Sequence, residues 1–169
     1  MITFSLGRAK HPAIVDDIDF DLADLRWFNQ DGYASRWNPV GTPRMLRLHT
    51  LVMGRILDRP LTQHEMVDHK NRNRADNRRE NLRLTDRQTN GQNRPANRNS
   101  RSGYKGVSWF KAGKQWRADL NIKSKQINIG YFSNLRDAVI AYNHAALIHY
   151  GEFAYLNPVP EATPPVAVE

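Results

Sequence analysis

Residues 91–103, GQNRPANRNSRSG, limit the fold more than any other part of this 169-residue chain, because they contain almost no apolar side chain. A run of Asn, Arg, Ser, Gly and Pro is typical of a linker. The apolar residues on its two sides therefore have to build separate small cores. We predict a first module over residues 1–95, a basic linker over 96–103, a second module over 104–157, and a disordered proline-rich tail over 158–169.

Charge is distributed unevenly along the chain. The formal net charge is +8, with an acidic stretch from Asp16 to Asp31 and a basic stretch from Lys70 to Arg101. This reversal predicts that a surface for a polyanionic partner begins at the basic stretch and that the acidic stretch faces away from it. The chain contains no cysteine, which excludes disulfides and thiolate zinc sites, so any metal has to be held by oxygen or histidine nitrogen.

Local patterns in the first module predict a hairpin, a strand and a short helix. In residues 25–37, LRWFNQDGYASRW, a QDG turn signal separates two aromatic-bearing runs, as in a β-hairpin. Met45–Leu51 is the next strand candidate. Thr85 and Gln88 form a capping-box pattern that predicts a helix starting at Thr85 and ending before Pro95, with Asn90 about one turn inside it.

The second module predicts an antiparallel three-stranded sheet covered by one helix. Strand-like runs lie at residues 104–110, 115–122 and 126–132, separated by turns that contain Gly and Lys. From Ser133 to Tyr150 apolar residues recur at helical spacing, and Gly151 follows as a stop. The side of this helix that packs on the sheet is predicted to consist of Leu135, Ala138, Val139, Tyr142, Ala145, Ala146 and His149.

The segment from Val67 to Asn90 carries residues suited to phosphodiester hydrolysis. This reaction needs an activated water, neutralised charge at the phosphate and a stabilised leaving oxygen. A neutral histidine such as His69 can accept a proton from water, and the carboxylate of Asp68 can hold a hard divalent cation. Asn90 adds a neutral oxygen ligand. An adjacent Asp–His pair alone is usually without catalytic role, so the prediction depends on the joint occurrence of these residues.

The chain resembles the HNH endonuclease motif in its phage homing-endonuclease form, in which asparagine replaces the last histidine. The resemblance is carried by Asp68, His69, Asn90 and the run DNRRENLR from Asp76 to Arg83. The upstream segment at residues 46–57, LRLHTLVMGRIL, is also similar to that family. The resemblance implies a ββα-metal finger of two strands and a helix. Its implied residues are His69 as the general base, Asn81 as a catalytic-site residue that braces the loop between the strands, and Asp68 and Asn90 as the ligands of a single Mg²⁺ or Mn²⁺, with no structural zinc.

Residues 102–157 resemble the APETALA2-type DNA-binding domain over essentially their whole length, through YKGV, the strand WRADL, the run IGYF, the alanine-rich helix and the closing GEFAYLN. The resemblance implies that the three-stranded sheet lies in the major groove of double-stranded DNA. The residues at or near its contact positions are Lys105, Ser108, Phe110, Lys114, Asp119, Asn121, Gln126 and Asn128. Arg83, Arg94, Arg98, Arg101, Lys111, Arg117, Lys123 and Lys125 are available for phosphate contacts.

The sequence therefore predicts an α+β chain in which a β-rich N-terminal region leads into an HNH finger, followed by a sheet packed on one helix. The expected function is metal-dependent DNA cleavage by a site-selective nicking or homing enzyme of a phage or mobile element, monomeric, without membrane contact, in the cytoplasm of a bacterial or infected cell. A non-catalytic, sequence-specific DNA-binding regulator with a vestigial finger is the alternative. RNA binding is a third reading, disfavoured by the few exposed aromatic residues.

The sequence also bears on the role of His49 and on that of residues 1–45. His49 lies in an apolar context and is expected to be structural or to support the site. Residues 1–45 either extend the DNA-facing sheet or support the finger.

Overall fold

The computed structural model describes residues 1–7, 11–41, 43–123 and 125–161, except for the side chain of Gln88. The chain forms two compact units, Met1–Asn90 and Gly91–Glu169. Both are built from small antiparallel sheets with few helices, so the fold is mixed α/β. None of the helices within these described ranges is long and apolar enough to cross a membrane.

The first unit combines short strands with two helices, one of ten residues and one of four. The strands are β1 (Ile2–Phe4), β2 (Ala13–Val15), β3 (Phe28–Gln30), β4 (Tyr33–Trp37), β5 (Met45–Arg47), β6 (Met66–His69) and β7 (Leu82–Thr85), and the helices are α1 (Leu48–Leu57) and α2 (Arg87–Asn90). They pair as β1–β2, β3–β4–β5 and β6–β7. Short 3-10 turns at Asp17–Leu22 and Arg79–Asn81 complete the unit.

The predicted hairpin over residues 25–37 is confirmed. Strands β3 and β4 are antiparallel neighbours joined by Asp31 and Gly32, whose φ angles are 53° and 87°. Two successive residues with positive φ are the requirement of a type I′ turn, whose twist matches that of the flanking strands. The Asp-Gly pair therefore fixes this hairpin locally.

The predicted strand Met45–Leu51 is wrong beyond Arg47, where helix α1 begins. Leu48, Val52 and Met53 recur at helical spacing and are buried in the core of the unit. A strand through these residues would point neighbouring apolar side chains to opposite faces. The helix instead buries them together in the core of the unit.

The acidic stretch near the N-terminus holds the 3-10 turn that precedes β7. The carboxylate of Asp16 accepts a 2.8 Å hydrogen bond from the backbone N–H of Arg79. Asp19 is fully buried and accepts hydrogen bonds from the side chain of Arg79 at 2.8 and 3.0 Å and from Arg55 at 3.1 Å. Part of this acidic stretch thus neutralises arginines of its own unit.

Asp19→Asn is expected to lower the free energy of unfolding of the first unit by about 2 to 3 kcal/mol, because two arginines lose a buried charged partner. Burial raises the pKa of Asp19, but hydrogen bonds from Arg79 and Arg55 outweigh it and hold that pKa below its ordinary value. The stabilisation is therefore complete above the unfolded-state pKa of about 3.9 and declines as pH falls through the lower folded-state pKa. Chemical denaturation of Asp19→Asn beside the exposed control Asp24→Asn, at neutral and acidic pH, measures both effects; equal stability of the two variants would contradict the prediction.

The second unit confirms the predicted three-stranded antiparallel sheet and its helix. Strands β8 (Val107–Phe110), β9 (Gln115–Ile122) and β10 (Lys125–Phe132) lie in the order β10–β9–β8, and helix α3 spans Leu135–Tyr150. The side chain of Asn134 caps α3 by accepting a 2.8 Å hydrogen bond from the backbone of Asp137. Residues from both elements form the core: Val107, Ala118, Leu120, Ala138, Val139, Tyr142 and Ala146.

Two sequence predictions for this unit are corrected. His149 is exposed, and Tyr150 faces the sheet instead, with its hydroxyl donating to the carbonyl of Asn121. The start of the predicted disordered tail is held in place, because the carbonyl of Pro160 accepts a 2.6 Å hydrogen bond from Arg136. Disorder is therefore wrong for residues 158–161, whereas residues 162–169 lie outside the described residues.

Candidate functional site

Strand pairing in the β6–β7 hairpin places Asp68 directly opposite Arg83. The carboxylate Oδ2 of Asp68 accepts hydrogen bonds from Nε of Arg83 at 3.0 Å and from Nη2 at 2.7 Å. The two side chains are 11% and 8% exposed, so this ion pair is nearly buried. Arg83 was predicted to contact the DNA backbone; the structure places its guanidinium on Asp68 instead.

His69 is buried and lies against Asn77. The two side chains approach through Nε2 of His69 and Oδ1 of Asn77, which are 3.4 Å apart. Asn77 also donates from Nδ2 to the carbonyl of Ala75 at 2.9 Å, and this bond turns its Oδ1 toward the imidazole. The neutral tautomer that matches this contact carries its proton on Nε2 and its lone pair on Nδ1.

Electrostatics keep His69 neutral near pH 7. Burial lowers the pKa of His69 below its ordinary value, and this effect outweighs the hydrogen bond with Asn77 and the nearby charges of Asp68 and Asp76, which raise it. A neutral imidazole can accept a proton, and those carboxylates would stabilise the cation formed.

Two more aromatic rings pack around His69. The ring centroids of His49 and His69 are 5.1 Å apart, and that of Tyr33 lies 5.1 Å from His49 and 6.0 Å from His69. Burial, aided by the neighbouring His69 and Arg47, lowers the pKa of His49 to about 3. Within the part of the chain that the structure describes, Nδ1 of His49 has no hydrogen-bond partner. His49 therefore lies beside the candidate base as an uncharged ring.

Arginines flank this ring cluster. The guanidinium groups of Arg47 and Arg74 each lie 4.6 Å from the centroid of the Tyr33 ring. Such stacking positions cationic side chains beside an aromatic face. Neither residue stood out in the sequence, because nothing local to Arg47 or Arg74 indicates that both meet Tyr33.

Asn81 spans the loop that joins β6 to β7. Its Nδ2 donates to the carbonyl of Asp76 at 2.7 Å, and its Oδ1 accepts from the backbone N–H of Asn71 at 3.0 Å. The side chain is buried, so both polar groups are satisfied inside the protein. These contacts are the ones that the predicted bracing role would require.

Strand β2 also supports this loop. The backbone N–H of Ile14 donates to Ala75 and the carbonyl of Ile14 accepts from Asn77, both at 2.8 Å. Arg74 donates to the carbonyl of Asp31 at 2.6 Å. Of the two roles left open for residues 1–45, these contacts correspond to support of the loop that carries Asn77.

Asn90 is the last residue of α2, where the sequence predicted a helix. Asp86 rather than Thr85 caps that helix, because Asp86 accepts a 2.7 Å hydrogen bond from the backbone of Thr89 while Thr85 still pairs with Met66 in the sheet. Asn90 lines a cavity of about 810 Å³ whose other walls include Tyr33, His49 and Val67.

The donor atoms near this site are suited to a hard cation. Among the described residues, no group of three or more His, Cys, Asp or Glu side chains could hold a metal ion. The candidate ligands are the Asp68 carboxylate and the Asn90 amide oxygen. Mg²⁺ retains several waters and needs only one or two carboxylates, and Mn²⁺ prefers the same oxygen ligands, so the chemistry of these two donor groups suits either ion. Arg83 would share the carboxylate with it.

In the second unit, strand register gathers seven of the predicted DNA contacts on one side of the sheet. Ser108 pairs with Arg117, Asp119 with Asn128, and Asn121 with Gln126. Because side chains alternate along a strand, these positions face away from α3, whereas the core residues of the same strands face toward it. The open face, as we name it, consists of Ser108, Phe110, Arg117, Asp119, Asn121, Gln126 and Asn128.

The remaining predicted contacts divide into exposed residues and one exception. Exposed positions outside the open face are Arg94, Arg98, Arg101, Lys111, Lys114, Lys123 and Lys125. Lys105 is the exception, because its Nζ donates to the carbonyls of Gly91, Gln92 and Arg94 at 3.1, 2.6 and 2.8 Å. Its ammonium is thus bound within the protein and does not face outward as a phosphate contact.

Comparison with known proteins indicates a nuclease family. A protein-family model described as HNH endonuclease matches residues 60–92, a stretch that contains Asp68, His69, Asn81 and Asn90. This match supports the prediction that the chain contains an HNH nuclease domain, and therefore that it is a hydrolase that cleaves DNA. No curated protein and no solved structure matches the chain.

Proposed function

We propose that this protein is a metal-dependent DNA endonuclease in which His69 is the general base. The observation that carries the proposal is the neutral, buried His69 held against Asn77 and next to Asp68, within the stretch that matches the HNH endonuclease model. Asn90 in place of a last histidine favours the homing type found in phages and mobile elements. We propose a monomer. The described residues of each chain contain one such site, which supports nicking of one strand.

Residues of the chain supply most of the chemistry. Oδ1 of Asn77 accepts a hydrogen bond from Nε2–H of His69, so Nδ1 is the atom that removes a proton from the attacking water. Arg47 and Arg74 bring positive charge next to this imidazole, where a phosphate would lie during the reaction. Asp68 and Asn90 would hold Mg²⁺ or Mn²⁺, which when bound neutralises the scissile phosphate and the departing oxygen.

The second unit would hold the substrate. Its open face carries amide, hydroxyl and guanidinium groups, which are the groups that contact bases and phosphates. Lysines at the strand ends and turns add cationic charge to a chain whose net charge is already +8. Double-stranded DNA is therefore the proposed partner, and sheet docking in the major groove is the proposed binding mode.

The test is cleavage of supercoiled plasmid and of a mixed genomic DNA library with Mg²⁺, Mn²⁺ or EDTA. Conversion of supercoiled to open-circular DNA with either metal, and none with EDTA, is the expected result. Because a target can be long and rare, the library supplies many sequences at once. Salt-sensitive binding with intact DNA under every metal and sequence would contradict the enzyme and support the non-catalytic regulator.

A further inference from the structure

Residues 91–100, which we name the arm, form one wall of a polar groove whose other wall is the open face of the sheet. The groove encloses about 620 Å³. We propose that it binds the sugar–phosphate backbone of duplex DNA and that Lys105 fixes the arm in place for this purpose. This inference deepens the proposed function, on which it rests, by naming how the second unit holds its substrate.

The beginning of the arm is attached to the rest of the second unit. Three carbonyls of the arm accept hydrogen bonds from the Lys105 ammonium. A fourth attachment is made by the backbone of Tyr155, which donates to the carbonyl of Gln92 at 3.1 Å. Asn93 is 6% exposed, so the arm also buries a side chain. Lys105 and Tyr155 therefore both hold the beginning of the arm.

Lys105 is itself held before it reaches the arm. Its backbone N–H donates to Oδ1 of Asn157 at 2.8 Å, and its carbonyl accepts from Nδ2 of Asn157 at 2.9 Å. Asn157 is 4% exposed and also exchanges two 2.8 Å hydrogen bonds with Asn143 of α3. The position of the arm thus depends on α3 through Asn157 and Lys105.

The lining of the groove is suited to a phosphate backbone. Arm residues that line it include Arg94, Asn97 and Asn99, and sheet residues include Ser108, Arg117, Asn121 and Gln126. One carboxylate, that of Asp119, occurs among the described lining residues, and it accepts hydrogen bonds from Arg117 at 2.7 Å and from Asn128 at 3.2 Å. Arginine, amide and hydroxyl groups are the usual protein contacts of phosphate and sugar oxygens.

Arg94 and Lys105 should affect DNA binding in different ways. The side chain of Arg94 is exposed in the groove wall and can contact a phosphate directly. The Lys105 ammonium holds the backbone that carries Arg94, so losing it should remove the contribution of Arg94 as well. Two independent phosphate contacts would instead contribute additively.

The experiment is a double-mutant cycle on the full chain, in EDTA so that no cleavage occurs. Affinity for a mixed-sequence 30-base-pair duplex, a length of about three helical turns, is measured at several salt concentrations for wild type, Arg94→Ala, Lys105→Met and the double variant. Arg94→Ala should weaken binding several-fold and reduce the salt slope by about 1. Lys105→Met should weaken binding at least as much, and the double variant should be no weaker than Lys105→Met.

Lys111→Met is the matched control, because Lys111 is an exposed lysine of the same unit. Its effect should add to that of Arg94→Ala. Hydrogen exchange gives a readout that does not depend on DNA, because the Tyr155 amide donates to the carbonyl of Gln92. This amide should exchange faster in Lys105→Met than in the wild type, and at the wild-type rate in Lys111→Met.

Additive effects of Lys105→Met and Arg94→Ala, with an unchanged Tyr155 amide, would overturn the inference. If Lys105→Met does not fold, the inference is tested by Arg94→Ala and Asn99→Ala instead. If both variants bind DNA with the affinity of the wild type, the inference is overturned. Tighter binding to an RNA of matched length would overturn the assignment to DNA. Wild type without any salt-dependent DNA binding would contradict the proposed function itself, whereas wild-type binding without arm effects would contradict this inference alone.

Discussion

His69→Ala is expected to reduce the rate of metal-dependent DNA nicking by about 10²- to 10⁴-fold, the range lost when a general base is removed. The loss follows from the neutral imidazole, whose Nδ1 has the basic lone pair when Nε2 faces Asn77. Single-turnover nicking at saturating enzyme measures the chemical step separately from substrate binding. His64→Ala is the matched control, because His64 is an exposed histidine of the stretch that matches the HNH model.

A loss through disturbed packing has to be distinguished from a loss of the base. His49→Ala removes a second buried imidazole from the same ring cluster without touching the contact between His69 and Asn77. We expect His49→Ala to lower stability while retaining much more nicking activity than His69→Ala. Equal activities of His69→Ala and wild type, or equal losses in His69→Ala and His49→Ala, would contradict the role of His69 as the base.

Local sequence signals predicted the secondary structure of the second unit closely. The pattern at residues 115–122 gave the same bounds as β9, and the helix predicted to end at Tyr150 ends there. Alternating side chains and a following glycine stop are short-range features, so they can be recognised without knowledge of distant contacts. Helix α1 was missed because six of its ten residues are apolar, and a short, densely apolar run does not distinguish a helix from a buried strand by periodicity.

Contacts between distant residues could not be predicted in the same way. Charge composition indicated that Arg83 and Lys105 were cationic but not that Asp68 and three backbone carbonyls would bind them. Asp19 resembled an ordinary acidic surface residue, although the fold buries it against two arginines. The partner of a charged side chain is often distant in the sequence and is known only from the folded structure. A turn or a helix cap is specified by neighbouring residues.

The candidate site shows the same division. Asp68, His69, Asn81 and Asn90 were recognised by their order and spacing. The residues that surround His69 come from separate elements: Tyr33 from β4, His49 from α1 and Asn77 from the loop after β6. Of these, Asn77 lies inside the recognised run from Asp76 to Arg83, so a closer inspection of that run could have found it.

Gly106→Ala is expected to lower the free energy of unfolding of the second unit by about 2 to 4 kcal/mol, the combined cost of a strained backbone and an overpacked core. Gly106 has a φ of +71°, and a Cβ there would lie 2.1 Å from the Tyr142 ring and 2.5 Å from the carbonyl of Asp119. Neither neighbour can move easily. Tyr142 is 1% exposed in the core, and Asp119 is joined to Gly106 by a 2.7 Å backbone hydrogen bond.

Gly103→Ala separates the two costs, because Gly103 also has a positive φ, +75°, but nothing lies within 4 Å of the Cβ that alanine would add. It should cost only about 1 kcal/mol, the backbone part alone. Chemical denaturation followed by hydrogen exchange of the β9 amides measures the second unit specifically, and the core of the first unit provides an internal reference. Equal destabilisation by the two substitutions would mean that backbone conformation, and not the contact of Gly106 with Tyr142, determines the cost. A larger cost at Gly106 would show that the absence of a side chain there allows β8 to approach α3.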